Sequence, residues 1–100
     1  MNKIKISIPK EKISQLCEKY HILRFSFFGS VLSDDFSPES DIDVLVEFAP
    51  EHIPGLSFFS IQDELSRLFG RRVDLNTPNF LSPYFREEVQ KMAEVQYERL

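Results

Sequence analysis

The sequence predicts an α/β fold of the α+β kind, a small mixed β-sheet with helices packed on it. Three observations predict it. Short aromatic or β-branched runs alternate with stretches of helical apolar spacing along the chain. Gly and Pro fall at the boundaries between them. One hundred residues, 42% hydrophobic and including ten Phe, supply enough apolar material for one core and leave no room for a second. A single domain over residues 1–100 is expected, so function must come from one site or one surface.

The elements follow in order. Residues 1–9 alternate charged or polar with apolar positions and lack the continuous apolar stretch of a signal peptide, so no secretion address is read there. Ile13, Leu16, Cys17 and Tyr20 have the i, i+3, i+4, i+7 spacing of an amphipathic helix, predicted over about residues 9–20 with Pro9 in its first turn. Ile22 to Phe28 is short, aromatic-rich and stopped by Gly29-Ser30, a strand entering a tight turn. Val31 to Ser40 has no sustained period and reads as a helical turn followed by a loop. Asp41 to Phe48 is rich in β-branched residues and reads as the second strand.

Two prolines and a glycine between Ala49 and Gly55 make a loop. Phe58, Ile61, Leu65 and Leu68 then mark a helix over 56–69, with Gly70 placed for a left-handed C-terminal cap. Phe59 is grouped with the core face of that helix, although it or Phe69 could extend an apolar patch toward a partner. Arg71 to Thr77 is a short strand candidate ended by Pro78. Ser82-Pro83 is an N-cap followed by proline at the first helical position, opening a helix over 83–92, with a short strand at 95–97.

Charge and cysteine content narrow the function. Twelve Lys and Arg against sixteen Asp and Glu give a net charge of −4, whereas domains that grip a nucleic-acid backbone are usually basic, so direct nucleic-acid binding is not expected. The single Cys17 can form neither an intramolecular disulfide nor a Cys-rich zinc site, and reads as a small buried hydrophobe in a reducing cytoplasm. No uncharged apolar run approaches the ~20 residues that would cross a bilayer, so a soluble protein without a membrane partner is expected.

Chemistry concentrates in Gly29-Ser30 and, ten residues on, Asp41-Ile42-Asp43. On a strand, Asp41 and Asp43 project from one face with backbones about 6 to 7 Å apart. Two carboxylates so placed repel one another unless a cation neutralises them, and Mg2+ is the natural candidate because it binds one or two carboxylates together with substrate phosphates. A calcium EF-hand fits poorly: the run lacks an oxygen ligand at loop position five and a glycine at position six. Gly29-Ser30, a strand end opening a helical turn, offers backbone N–H groups and a hydroxyl to a phosphate. Asp74 lies in the short strand Val73-Asp74-Leu75. If that strand pairs beside 41–48, three carboxylates meet at one sheet edge, as in metal-assisted phosphoryl or nucleotidyl transfer.

Gly29-Ser30, the ten-residue gap, Ser40-Asp41-x-Asp43 with its apolar tail Val44-Leu45-Val46, and the later Val73-Asp74-Leu75 together resemble the signature of the DNA polymerase β-type nucleotidyltransferase superfamily. The short length points to its minimal nucleotidyltransferases (MNT), whose fold core would cover roughly residues 10–95. The resemblance implies that Gly29 and Ser30 hold a nucleoside triphosphate, that Asp41 and Asp43 bind Mg2+, and that Asp74 completes the metal site and helps activate the incoming hydroxyl. It further implies an antitoxin that transfers AMP from ATP to a tyrosine of a HEPN-domain ribonuclease toxin, the two proteins forming a hetero-oligomer.

One position departs from the family pattern: Ser33 stands where an arginine commonly follows the Gly-Ser turn, and Asp34-Asp35 add negative charge beside it. A second reading follows, a binding module that neutralises its partner by occlusion, and a third is a transferase acting on a small molecule. His21 and His52 have the spacing of neither a metal site nor a triad and are assigned to packing. Arg71-Arg72 reads as a solvated pair offsetting a helix C-terminal dipole rather than as a phosphate grip.

Overall fold

A computed structural model describes residues 6–99; the start of the amino-terminal charge alternation, residues 1–5, lies outside the described residues. The order is α1 (Lys10–Tyr20), β1 (Ile22–Phe28), a 3-10 turn (Gly29–Leu32), β2 (Ile42–Phe48), α2 (Ser57–Phe69), β3 (Val73–Asn76), a second 3-10 turn (Pro78–Phe80), α3 (Pro83–Met92) and β4 (Glu94–Glu98). The four strands form one sheet in the order β3-β2-β1-β4. β1 is antiparallel to both β2 and β4, and β2 is parallel to β3. A parallel pair needs a long crossover, and α2 supplies it. The sheet is therefore mixed, as predicted.

The core gathers Ile13, Leu16 and Cys17 of α1, Phe58, Ile61 and Leu65 of α2, and the buried strand residues Phe25, Phe27, Val44, Val46, Val73 and Leu75. Phe25 and Phe27 meet edge to face at 5.7 Å. Burial pushes the Cys17 thiol up to about 12, first by desolvation and then by the charge of Glu18, so it stays a neutral hydrophobe. At the rim, Lys19 of α1 reaches Glu64 of α2 at 3.2 Å. Arg24 of β1 ties the sheet laterally, pairing with Glu47 of β2 at 3.2 Å and with Glu98 of β4 through its Nε at 2.8 Å. No helix among the described residues is long and apolar enough to cross a membrane.

Both predicted helix-end signals operate. Gly70 caps α2 at φ 68°, and Ser82 caps α3, accepting from the Tyr84 amide ahead of Pro83. His21 ends α1 in a left-handed conformation, φ 59°, and its ring stacks on His52 at 3.6 Å.

Two sequence expectations are corrected. Phe59 is not on the core face: it is 61% exposed and meets Phe58 edge-on at 5.9 Å. Consecutive helical residues are about 100° apart, so the side that buries Phe58 turns its neighbour outward. Arg71 is not a solvated dipole partner. Its guanidinium donates to the carbonyls of Ser37 (3.3 Å), Ser40 (3.3 Å) and Pro38 (3.2 Å), and it lies 4.5 Å over the Phe36 ring. A planar five-donor fork reaches several carbonyls of one turn at once, which a dipole argument from sequence cannot anticipate. Arg71→Ala should therefore destabilise the domain by about 1 to 3 kcal/mol, and Arg71→Lys should recover little of it. Thermal melts of the variants, with amide exchange at residues 37–40, check this.

Candidate active site

The site lies at the end of the sheet where β1 stops and β2 and β3 begin. Phe28 pairs with Asp43 across the antiparallel ladder, and Asp43 pairs with Asp74 across the parallel one. Three adjacent strands thus place the Gly29 turn, Asp43 and Asp74 in one row. The ladder continues one step outward, where the Ile42 amide donates to the Arg72 carbonyl at 2.9 Å.

Gly29 is held against Asp43. Its φ is +75°, and a Cβ on it would stand 2.3 Å from Asp43 Oδ2. Both backbone conformation and space demand glycine at this position. Val31 and Leu32 bury the rest of the 3-10 turn in the core, and Ser30 follows Gly29 in that turn. Ser33 serves the turn itself: its hydroxyl donates to the Ser30 carbonyl at 3.1 Å and accepts from the Asp35 amide at 3.2 Å. Position 33 thus supplies loop geometry and no charge.

The three aspartates differ in setting. Half-buried Asp43 has its pKa pushed up to about 6, first by burial, then by the charges of Asp74 and Asp41 and by a hydrogen bond to Asp74. Asp74 is exposed, while Asp41 is partly exposed and lies 3.8 Å from Arg72 Nε. Among the described residues, no three His, Cys, Asp or Glu side chains are gathered closely enough to hold an ion unaided. A divalent cation still fits the donor set. Asp43 keeps its proton to about pH 6 first because it is half-buried and then because Asp74 and Asp41 adjoin it, and a cation beside these carboxylates would offset their charge; Mg2+ ordinarily completes its shell with water and phosphate oxygens.

The raised pKa has a stability consequence whose sign is fixed. The folded state holds the Asp43 proton more tightly than the unfolded chain, so stability falls as pH rises from about 4 to about 6, and the penalty is complete above that. Asp43→Asn should raise Tm by several degrees at pH 8 and leave it nearly unchanged at pH 4, a gain of about 1 to 2 kcal/mol once solvent screening is allowed for. Melting curves at the two pH values read this directly.

Of the residues the sequence proposes, the structure sets Gly29, Asp43 and Asp74 in one row, with Asp41 one step outward near Arg72 and Ser30 next in the turn. Sequence reasoning missed that Arg71 is engaged by the loop before Asp41, whereas Arg72 is exposed as expected and lies near Asp41. The signal was present in the spacing: once Asp43 is set opposite Asp74 on parallel strands, Arg72 falls opposite Asp41 and Arg71 opposite Ser40.

Known proteins resemble this chain in sequence and fold. Residues 9–95 match the nucleotidyltransferase domain family. The chain is 35% identical over 94 residues to the Methanocaldococcus jannaschii protein named "Putative protein adenylyltransferase MJ0128", covering 91% of this chain and 92% of that one. It superposes on a solved structure named "putative minimal nucleotidyltransferase" with a TM-score of 0.71 at 32% identity, covering 84% of this chain and 85% of the other. The MNT antitoxin structure from Shewanella oneidensis, in complex with a tri-AMPylated HEPN toxin, shares the fold with a TM-score of 0.64 at 20% identity, over 90% of this chain and 70% of that one. The row of Gly29, Asp43 and Asp74 thus sits on a scaffold matched in sequence over nearly its whole length, and the chain belongs to the nucleotidyltransferase domain family.

Proposed function

We propose that this domain is a cytoplasmic, Mg2+-dependent protein adenylyltransferase that acts as an antitoxin, moving AMP from ATP to a tyrosine of a HEPN-type ribonuclease with which it forms a hetero-oligomer. The observation that carries the reading is the placement of Asp43 directly across from Asp74 with Gly29 packed against its carboxylate. A relative named as a protein adenylyltransferase and the AMPylated toxin in the Shewanella complex support the acceptor class.

The residues divide the work. Asp41, Asp43 and Asp74 would hold the ion, which when bound offsets the charge of the triphosphate and aligns attacking and leaving oxygens. Gly29 lets the turn backbone approach the phosphates, and Ser30 contributes its hydroxyl and the amides around it. The acceptor oxygen attacks the α-phosphorus and the bond to the bridging oxygen of the β-phosphate breaks. Pyrophosphate departs with that oxygen, and the tyrosyl proton passes to Asp74. Rate comes from alignment and charge placement, since no protein nucleophile is required.

The test is transfer of label from α-labelled ATP, with Mg2+, to a HEPN protein encoded beside this chain. Label on a tyrosine of that protein, lost when EDTA is added, is the expected result. A folded pair that exchanges no label, yet in which this chain still silences the ribonuclease, would replace catalysis by occlusion.

A further inference from the structure

We propose that Arg72 is the cationic ligand of the nucleotide's outer phosphates, a role that rests on the nucleotidyl-transfer reading above and assigns it a specificity residue. Asp41 and Asp74 both act electrostatically on Asp43 at this sheet end, so a triphosphate bound there would meet negative charge that a protein cation helps to offset. Position 33 supplies none, because serine carries no charge, and its hydroxyl is in any case engaged by the turn. Arg71 supplies none either, because its guanidinium is committed to three backbone carbonyls and the Phe36 ring. Arg72 differs from both. Its backbone is fixed by the ladder bond to Ile42 at the mouth of the site, while its side chain is 84% exposed and touches Asp41 only at 3.8 Å. A contact that long between exposed groups holds the guanidinium weakly. It can therefore exchange Asp41 for a phosphate when a cation takes over the carboxylate, and its planar fork matches phosphate oxygens in pairs.

Two neighbouring arginines thus have separate tasks. Arg71 shapes the loop leading to Asp41, and Arg72 reaches outward from the residue just before β3. The assignment makes the site selective for the number of phosphates, not for the base.

The experiment compares the affinities of ATP and AMP for the full chain and its variants with Mg2+ present, by titration calorimetry. Arg72→Ala should weaken ATP about tenfold while leaving AMP binding and Tm unchanged, and Arg72→Lys should restore part of the loss. Equal weakening of ATP and AMP would overturn the assignment and make Arg72 a support for Asp41. ATP affinity unchanged in Arg72→Ala would also overturn it while leaving the nucleotidyl-transfer reading in place. If the wild-type chain, alone and with its HEPN partner, binds no nucleoside triphosphate, the reading and the assignment fall together.

Discussion

Asp43→Ala is expected to lower adenylyl transfer by about a thousandfold while the domain stays folded. Asp43 is the carboxylate on which the arrangement centres: it faces Asp74 across the parallel ladder, lies against Gly29, and has its pKa pushed up to about 6 by burial and by its acidic neighbours. Under the proposed function, removing it takes away an ion ligand. It also removes a charge whose burial is unfavourable above pH 6, so Tm at pH 8 should rise as activity disappears. An inactive but more stable variant distinguishes a site residue from a packing residue, which would lose both together. The assay pairs label transfer with thermal melts of the same preparations. Transfer at more than a tenth of the wild-type rate would move the catalytic assignment away from Asp43.

Gly29→Ala should be nearly as damaging, and by a different route. Alanine at φ +75° is strained, and its Cβ would meet Asp43 Oδ2 at 2.3 Å. Either the turn shifts or the carboxylate swings off, so a stability loss of about 1 to 3 kcal/mol is expected together with the loss of nucleotide binding. The two substitutions must then be coupled. Truncating Asp43 in the Gly29→Ala background removes the atom that collides, so the double variant should be more stable than the sum of the single effects requires. A four-point cycle of chemical denaturation measures this. Strict additivity would mean that the cost at position 29 is backbone strain alone.

The elements were legible because local signals carry them. Phe28 followed by Gly29 stops β1, Gly70 caps α2, and Ser82-Pro83 opens α3, each through chemistry contained within a few residues. The candidate carboxylates were legible as a spacing, Asp41 and Asp43 on one strand and Asp74 on another. Where reading the chain failed, the deciding contact was distant in sequence. Arg71 finds its carbonyls more than thirty residues upstream, so a pair of arginines after a helix looked like dipole compensation. Phe59 fell outside the core because the angle at which α2 lies on the sheet chose Phe58, Ile61 and Leu65 as the buried side.

The sequence by itself determined the α+β fold class, the order of its helices and strands, and which carboxylates are candidates for a site. Only the tertiary structure decided the register that sets Asp43 against Asp74, the fit of Gly29 to the Asp43 carboxylate, and the different settings of Arg71, bound to the loop, and Arg72, exposed beside Asp41. The reason is physical. Turns and caps are settled by neighbours in the chain, whereas a parallel register is settled by how a crossover helix buries its apolar stripe. A one-residue slip of β3 would move Asp74 to the opposite face of the sheet without changing any local preference.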